Sequence, residues 1–167
     1  METLFFISAI VAIAATARVI SSSQPAHALL YLIVSLLAVA LVFFTLGAPF
    51  AAALEVIIYA GAIMVLFVFV MMMLNLGEAV SDRERSWLSP GVWAGPAALA
   101  AVLLLELAYL LVRGAGAPAM REAVEAKAVG TLLFGPYLLG VELASMLLLA
   151  GLVGAYHLGR RDGDAED

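Results

Sequence analysis

The sequence predicts an all-α, polytopic membrane protein with five transmembrane helices. Three observations carry that fold class. Of the 167 residues, 65% are hydrophobic and 13% are charged. Mean hydropathy is +1.12. Five apolar runs each approach the ~20 residues a helix needs to cross a ~30 Å hydrocarbon layer. A soluble domain of this length has no core large enough to hide that much apolar surface, so the bilayer is its solvent.

The spans follow in order, and each break has a physical cause. The first covers about 3–21. Its "ATA" (15–17) imitates a small-residue cleavage site, but the chain opens Met-Glu and not with a positive n-region, so this span is expected to be retained. "SSSQPAH" (21–27) ends it with polar residues and a proline. The second covers about 28–47 and stops at "GAPF" (47–50), a tight turn. The third covers about 52–75. The charged "GEAVSDRERSWLSPG" (77–91) separates it from the fourth, about 91–112. The long connection "RGAGAPAMREAVEAKAVGTLLFGP" (113–136) is expected to hold a short amphipathic helix, with Met120, Val124 and Ala128 on one face. The fifth covers about 137–158. Residues 1–161 thus read as a single transmembrane domain, and 162–167 as an acidic tail.

That tail, "DGDAED", holds four of the acidic residues behind the formal charge of −5, so the membrane body is nearly neutral. No basic patch points to nucleic acid. With no cysteine there is no thiolate ligand for an iron–sulfur cluster. Arg18, Arg83, Arg85, Arg160 and Arg161 fall on one side of the membrane, and Arg113, Arg121 and Lys127 on the other. The bias predicts an outside N-terminus and a cytoplasmic C-terminus. Trp87 and Trp93 flank the fourth span, where an interfacial belt sits.

Three carboxylates interrupt apolar spans: Glu55, Glu106 and Glu142. A charge at the bilayer centre costs about 3 kcal/mol on insertion scales, so such residues face protein or water. Glu106, two turns before Arg113, is expected to reach the interface and hydrate there. Glu55 and Tyr59 are four residues apart and share a helix face continuing through Ala62, Leu66, Phe69 and Met73. Beside them Ala60-Gly61-Ala62 makes the helix thin. Two readings stay open for that stretch: close helix packing, or a weak point where the hydrogen-bond register shifts to a π-bulge. "GVWAG" (91–95) is a Gly-x-x-x-Gly match at a span's edge. His27 and His157 have no supporting ligand pattern for a haem, and Met71-Met72-Met73 reads as packing.

"LEVIIYAGAIMVLFVFVMMMLN" (54–75) resembles the third-helix signature of the subunit J (mitochondrial ND6-like) family of respiratory complex I, NADH:quinone oxidoreductase. "QPAHALLYLIVSLL" (24–37) is similar to the segment opening that family's second helix, with Gln24 in place of Asn. "AVGTLLFGPYLLGVELASMLLLAGLVGAYHLGRR" (128–161) is similar to its fifth-helix region. The fourth span and the long loop match only in character. The resemblance implies a redox-inactive membrane subunit of the bacterial inner membrane, lying between a quinone-site subunit and antiporter-like subunits. NADH, FMN, iron–sulfur clusters and quinone are then expected in partner subunits, with no cofactor and no metal in this chain. It also implies that Tyr59 and Gly61 form a π-bulge whose rearrangement couples quinone chemistry to proton pumping. Glu55 would join a chain of membrane carboxylates, and Glu142 lies in the fifth-helix match. Two other functions compete: a component of a cation/proton antiporter complex, and a purely structural scaffold. A complete transporter is expected to show midplane ionisable residues or paired broken helices, and the sequence offers neither.

Overall fold

The computed structural model describes residues 2–74, 90–114 and 123–159. They are helical, with no strand among the described residues. In chain order the helices are α1 (Glu2–Ser21), α2 (Pro25–Thr45), α3 (Pro49–Leu54), a π-helix (Glu55–Ile63), α4 (Met64–Leu74), α5 (Pro90–Gly114), α6 (Ala126–Leu133) and α7 (Leu138–Gly159). Five stretches are long and apolar enough to cross a membrane: Glu2–Ser21, Pro25–Thr45, Pro49–Met73, Trp93–Val112 and Leu138–Gly159. These agree with the five spans the sequence predicts to within three residues at each end.

The starts differ for a local reason. Pro25 and Pro49 each sit in the first turn of their helix. Proline's fixed φ suits that position, and its missing N–H is one the first turn leaves unpaired anyway. The second and third spans therefore begin three residues before their apolar runs suggest. Between them Gly47 has φ 86°. Its N–H donates to Phe44 O at 3.1 Å, and the Ala48 N–H to Phe43 O at 3.0 Å. This pair of bonds is a Schellman cap, and its left-handed residue is best filled by glycine. The chain then re-enters helix at once.

The chain divides into two compact units, Met1–Val124 and Glu125–Asp167. In the first, α1 packs along α2, and α5 packs on both. The core at this junction holds Val11 and Ala15 from α1, Tyr31, Val34 and Ala38 from α2, and Leu103 from α5. Alanines on facing helices let the backbones approach closely, which in lipid replaces the missing hydrophobic drive between helices. Two polar bonds add direction. Thr16 and Ser35 share a hydrogen bond of 2.8 Å, and the Ser35 hydroxyl reaches Ala12 O at 3.3 Å. Near the end of α1, the Arg18 guanidinium lies 5.6 Å from the Tyr31 ring centroid. Gly95 meets the Tyr31 hydroxyl so closely that a Cβ there would overlap it. Of the two glycines in "GVWAG", Gly95 is the close contact, while a Cβ on Gly91 would meet open space.

In the second unit, the short helix expected in the long connection is α6, beginning at Ala126. Val124 precedes it, Ala128 is on it, and Met120 lies outside the described residues. The turn Phe134–Tyr137 joins it to α7, with Tyr137 N–H donating to Leu132 O at 3.1 Å. Arg83, Arg85, Trp87, Arg121, Arg160, Arg161 and the acidic tail also lie outside the described residues.

Candidate functional site

The third span is not one regular α-helix. It starts as α3, passes through nine π-helical residues, Glu55–Ile63, and resumes as α4. At the exit, the Met64 N–H points at Tyr59 O, five residues back. Glu55, Tyr59 and Gly61 all fall within this segment, where the sequence predicts a distortion. Long π runs are rare and tend to occur at functional sites, because each carries an inserted residue that the helix would shed if packing allowed.

Gly61 is suited to this register. A Cβ added there would stand 3.1 Å from Val56 O, the carbonyl five residues earlier. In an α-helix the carbonyl beneath a residue is four back, so this contact belongs to the π geometry. The alanines on either side keep the segment slim. The face assigned from a regular α-helix also needs adjustment. Because π bonding reaches one residue further, Glu55 stands below a point between Tyr59 and Ala60.

The segment faces outward from its own unit. None of its residues is buried; Ile57 is 65% exposed and Tyr59 51%. The face continuing through Leu66, Phe69 and Met73 is exposed as well. Glu55 is half-buried. On another flank, Ala53 and Val56 line an open apolar pocket of about 420 Å³ between α2, α3 and α5, with Leu104 and Leu107 also among its lining residues. The first turn of the π-helix therefore has space beside it on the inner side.

Glu142 is placed on α7, in the second unit, where the Ser145 hydroxyl donates to its backbone carbonyl at 2.8 Å. Glu106 differs from expectation. Instead of hydrating at the interface it is 6% exposed, and its Oε2 accepts the Ser8 hydroxyl at 2.8 Å. The reason is its helix face. Leu103 and Leu110, one turn to either side, are both buried against the bundle, so Glu106 is carried inward with them. That apolar flanking was present in the sequence and could have shown the pairing surface, although not the partner Ser8.

A family profile described as NADH-ubiquinone/plastoquinone oxidoreductase chain 6 matches residues 15–158. The chain is 66% identical over 163 residues to the NADH-quinone oxidoreductase subunit J of Pseudomonas aeruginosa, covering 97% of this chain and 98% of that protein. It is 58% identical over 166 residues to the protein of the same name from Escherichia coli, covering 99% and 90%. A more distant relative of that name, from Buchnera aphidicola subsp. Schizaphis graminum, is 46% identical over 160 residues, covering 96% and 98%.

Proposed function

The chain belongs to the NADH-ubiquinone/plastoquinone oxidoreductase chain 6 family, and from that premise we propose that its third span couples quinone chemistry elsewhere in the complex to proton translocation by changing helix register around Tyr59 and Gly61. At the coarser level the chain is a multi-pass membrane subunit of a bacterial NADH-quinone oxidoreductase, and other subunits of that complex are its partners. The single observation that carries the finer reading is the π-helix Glu55–Ile63 inside a membrane-spanning helix.

Its chemistry is conformational. A π-helix and an α-helix of the same residues differ by one residue of rotation, so a switch between them turns everything beyond the weak point. Gly61 permits the π form, and the cavity beside Val56 gives the segment room to tighten. The same switch would change which side chains stand next to Glu55. In this reading Glu55 and Tyr59 belong to a proton path completed by neighbouring subunits, with Glu142 as a further carboxylate from the fifth span. The exposed face Tyr59, Leu66, Phe69, Met73 is where a neighbour would pack. Those neighbours are the quinone-site subunit and the antiporter-like subunits. NADH, FMN, iron–sulfur clusters and quinone sit in partners, in keeping with a chain that has no cysteine. The arginine bias supports an outside N-terminus and a cytoplasmic C-terminus in the bacterial inner membrane.

The family match does not favour the antiporter-complex alternative. The test separates a gate from a scaffold. In the assembled complex in membrane vesicles, Glu55→Gln is expected to lower proton pumping several-fold per NADH oxidised while the subunit still assembles. An unchanged ratio, or loss of assembly alone, removes Glu55 from the path and favours the scaffold.

A further inference from the structure

We propose that the groove between α2, the third span and α5 is a binding site for one acyl chain of a membrane phospholipid. The inference stands apart from the register switch and needs only the membrane-spanning fold.

The walls are three matching stripes. Leu37 to Phe44 on α2, Pro49 to Val56 on α3 and the first turn of the π-helix, and Ala100 to Leu107 on α5 each contribute their first, fourth, fifth and eighth residues. That spacing sets four side chains on one helix face over two turns, a length of about 10 Å. Every lining residue is apolar. Ala40, Ala52 and Leu103 are buried at the base, whereas Phe44, Val56, Leu104 and Leu107 are exposed at the mouth. The gap exists because α3 and α5 both pack on α2, and the small alanines between them leave it unfilled. All three stripes lie within membrane-spanning stretches. Phe44 and Pro49 flank the α2–α3 turn. The groove therefore begins near the membrane surface and runs inward over most of the ~15 Å of one leaflet's hydrocarbon.

This chemistry selects the occupant. Water needs about two to four polar partners, and the walls offer none. Left empty, the lining would forfeit dispersion contacts. A polar headgroup would be desolvated there without a hydrogen bond. Size then decides between a hydrocarbon chain and a neighbouring helix. The groove holds about 420 Å³. A cavity of ~150 Å³ takes benzene, about 25 Å³ per carbon, so this one takes roughly 17 carbons, the content of a single acyl chain. A helix ~10 Å across fills on the order of 800 Å³ over the same length, about twice what is there. The turn Leu46-Gly47-Ala48 carries no charge, so the site grips the chain and is indifferent to the headgroup.

The test uses the intact complex in vesicles of phosphatidylethanolamine and phosphatidylglycerol, with a trace of either lipid carrying a photoreactive diazirine on an acyl chain. After illumination, labelled peptides are mapped by mass spectrometry. The expected result is adducts on the buried base residues Ala40 and Leu103, from either lipid. Ala53→Phe, which puts a ring into the groove, should lower them several-fold while labelling of the other subunits is unchanged. Absence of label at the base, the outcome if a neighbouring subunit's helix fills the groove, would overturn the site, and that reading needs only the natural complex. Base labelling that persists in an assembled Ala53→Phe complex would overturn it too. So would loss of base labelling to excess quinone, which would give the groove to an isoprenoid tail.

Discussion

Replacing Gly61 by alanine perturbs the third span with a single methyl group. In the π register that methyl would sit 3.1 Å from Val56 O, a few tenths of an ångström inside ordinary contact. The obstacle is backbone and cannot rotate away like a side chain. Relieving it by bond-angle opening of roughly 7° costs about 1 kcal/mol. An α-helix accommodates an alanine Cβ without strain, and the helix-propensity gain of alanine over glycine, about 1 kcal/mol, is taken as common to both registers and cancels. The net bias is then about 1 kcal/mol toward α, or roughly fivefold in relative population. In vesicles bearing the assembled complex, Gly61→Ala is expected to assemble normally, shown by native electrophoresis, and to lower the ratio of proton pumping to NADH oxidation. Gly61→Val, with a stiffer β-branched side chain, should lower it further. Normal assembly with a fully retained ratio in both variants would refute the claim that π geometry at this position matters to coupling. Failure to assemble in both would point to a packing role instead.

Gly95→Ala should drive its methyl into the Tyr31 hydroxyl and lower the thermal stability of the complex's membrane arm, by about 1–3 kcal/mol for overpacking. Adding Tyr31→Phe removes the nearest atom and should recover part of the loss in a melting experiment; no recovery would show that the contact is not the cause. A fluorescent reporter fused after Asp167 is expected to mature in the cytoplasm, whereas activity of a periplasm-dependent reporter at that position would reverse the orientation drawn from the arginine bias.

The five spans were legible because length and hydropathy suffice to mark them in a bilayer, and because proline and glycine punctuate them physically. Pro25 and Pro49 shifted two starts only because proline opens a helix as readily as it ends one. The position of the π-helix was legible in Ala60-Gly61-Ala62, but its nine-residue extent was not. Hydrophobic periodicity marks apolar helical faces and does not encode where the hydrogen-bond register changes. Glu106 was misplaced for a different reason. Its distance from Arg113 suggested an interfacial carboxylate, but the helix face it shares with Leu103 and Leu110 decided its direction. Ser8, a lone hydroxyl in the first span, carries no local sign of its partner 98 residues away.

Coupling by a register shift requires the hydrogen bonding of Glu55–Ile63 to change between states. Electron cryomicroscopy of the whole complex, at rest and trapped during NADH-driven turnover, can read the backbone hydrogen bonds of that segment in each state. A register switch gives the π-helix in one state and an α-helix through Tyr59 and Gly61 in another, with α4 rotated accordingly. One and the same register in every state would contradict it.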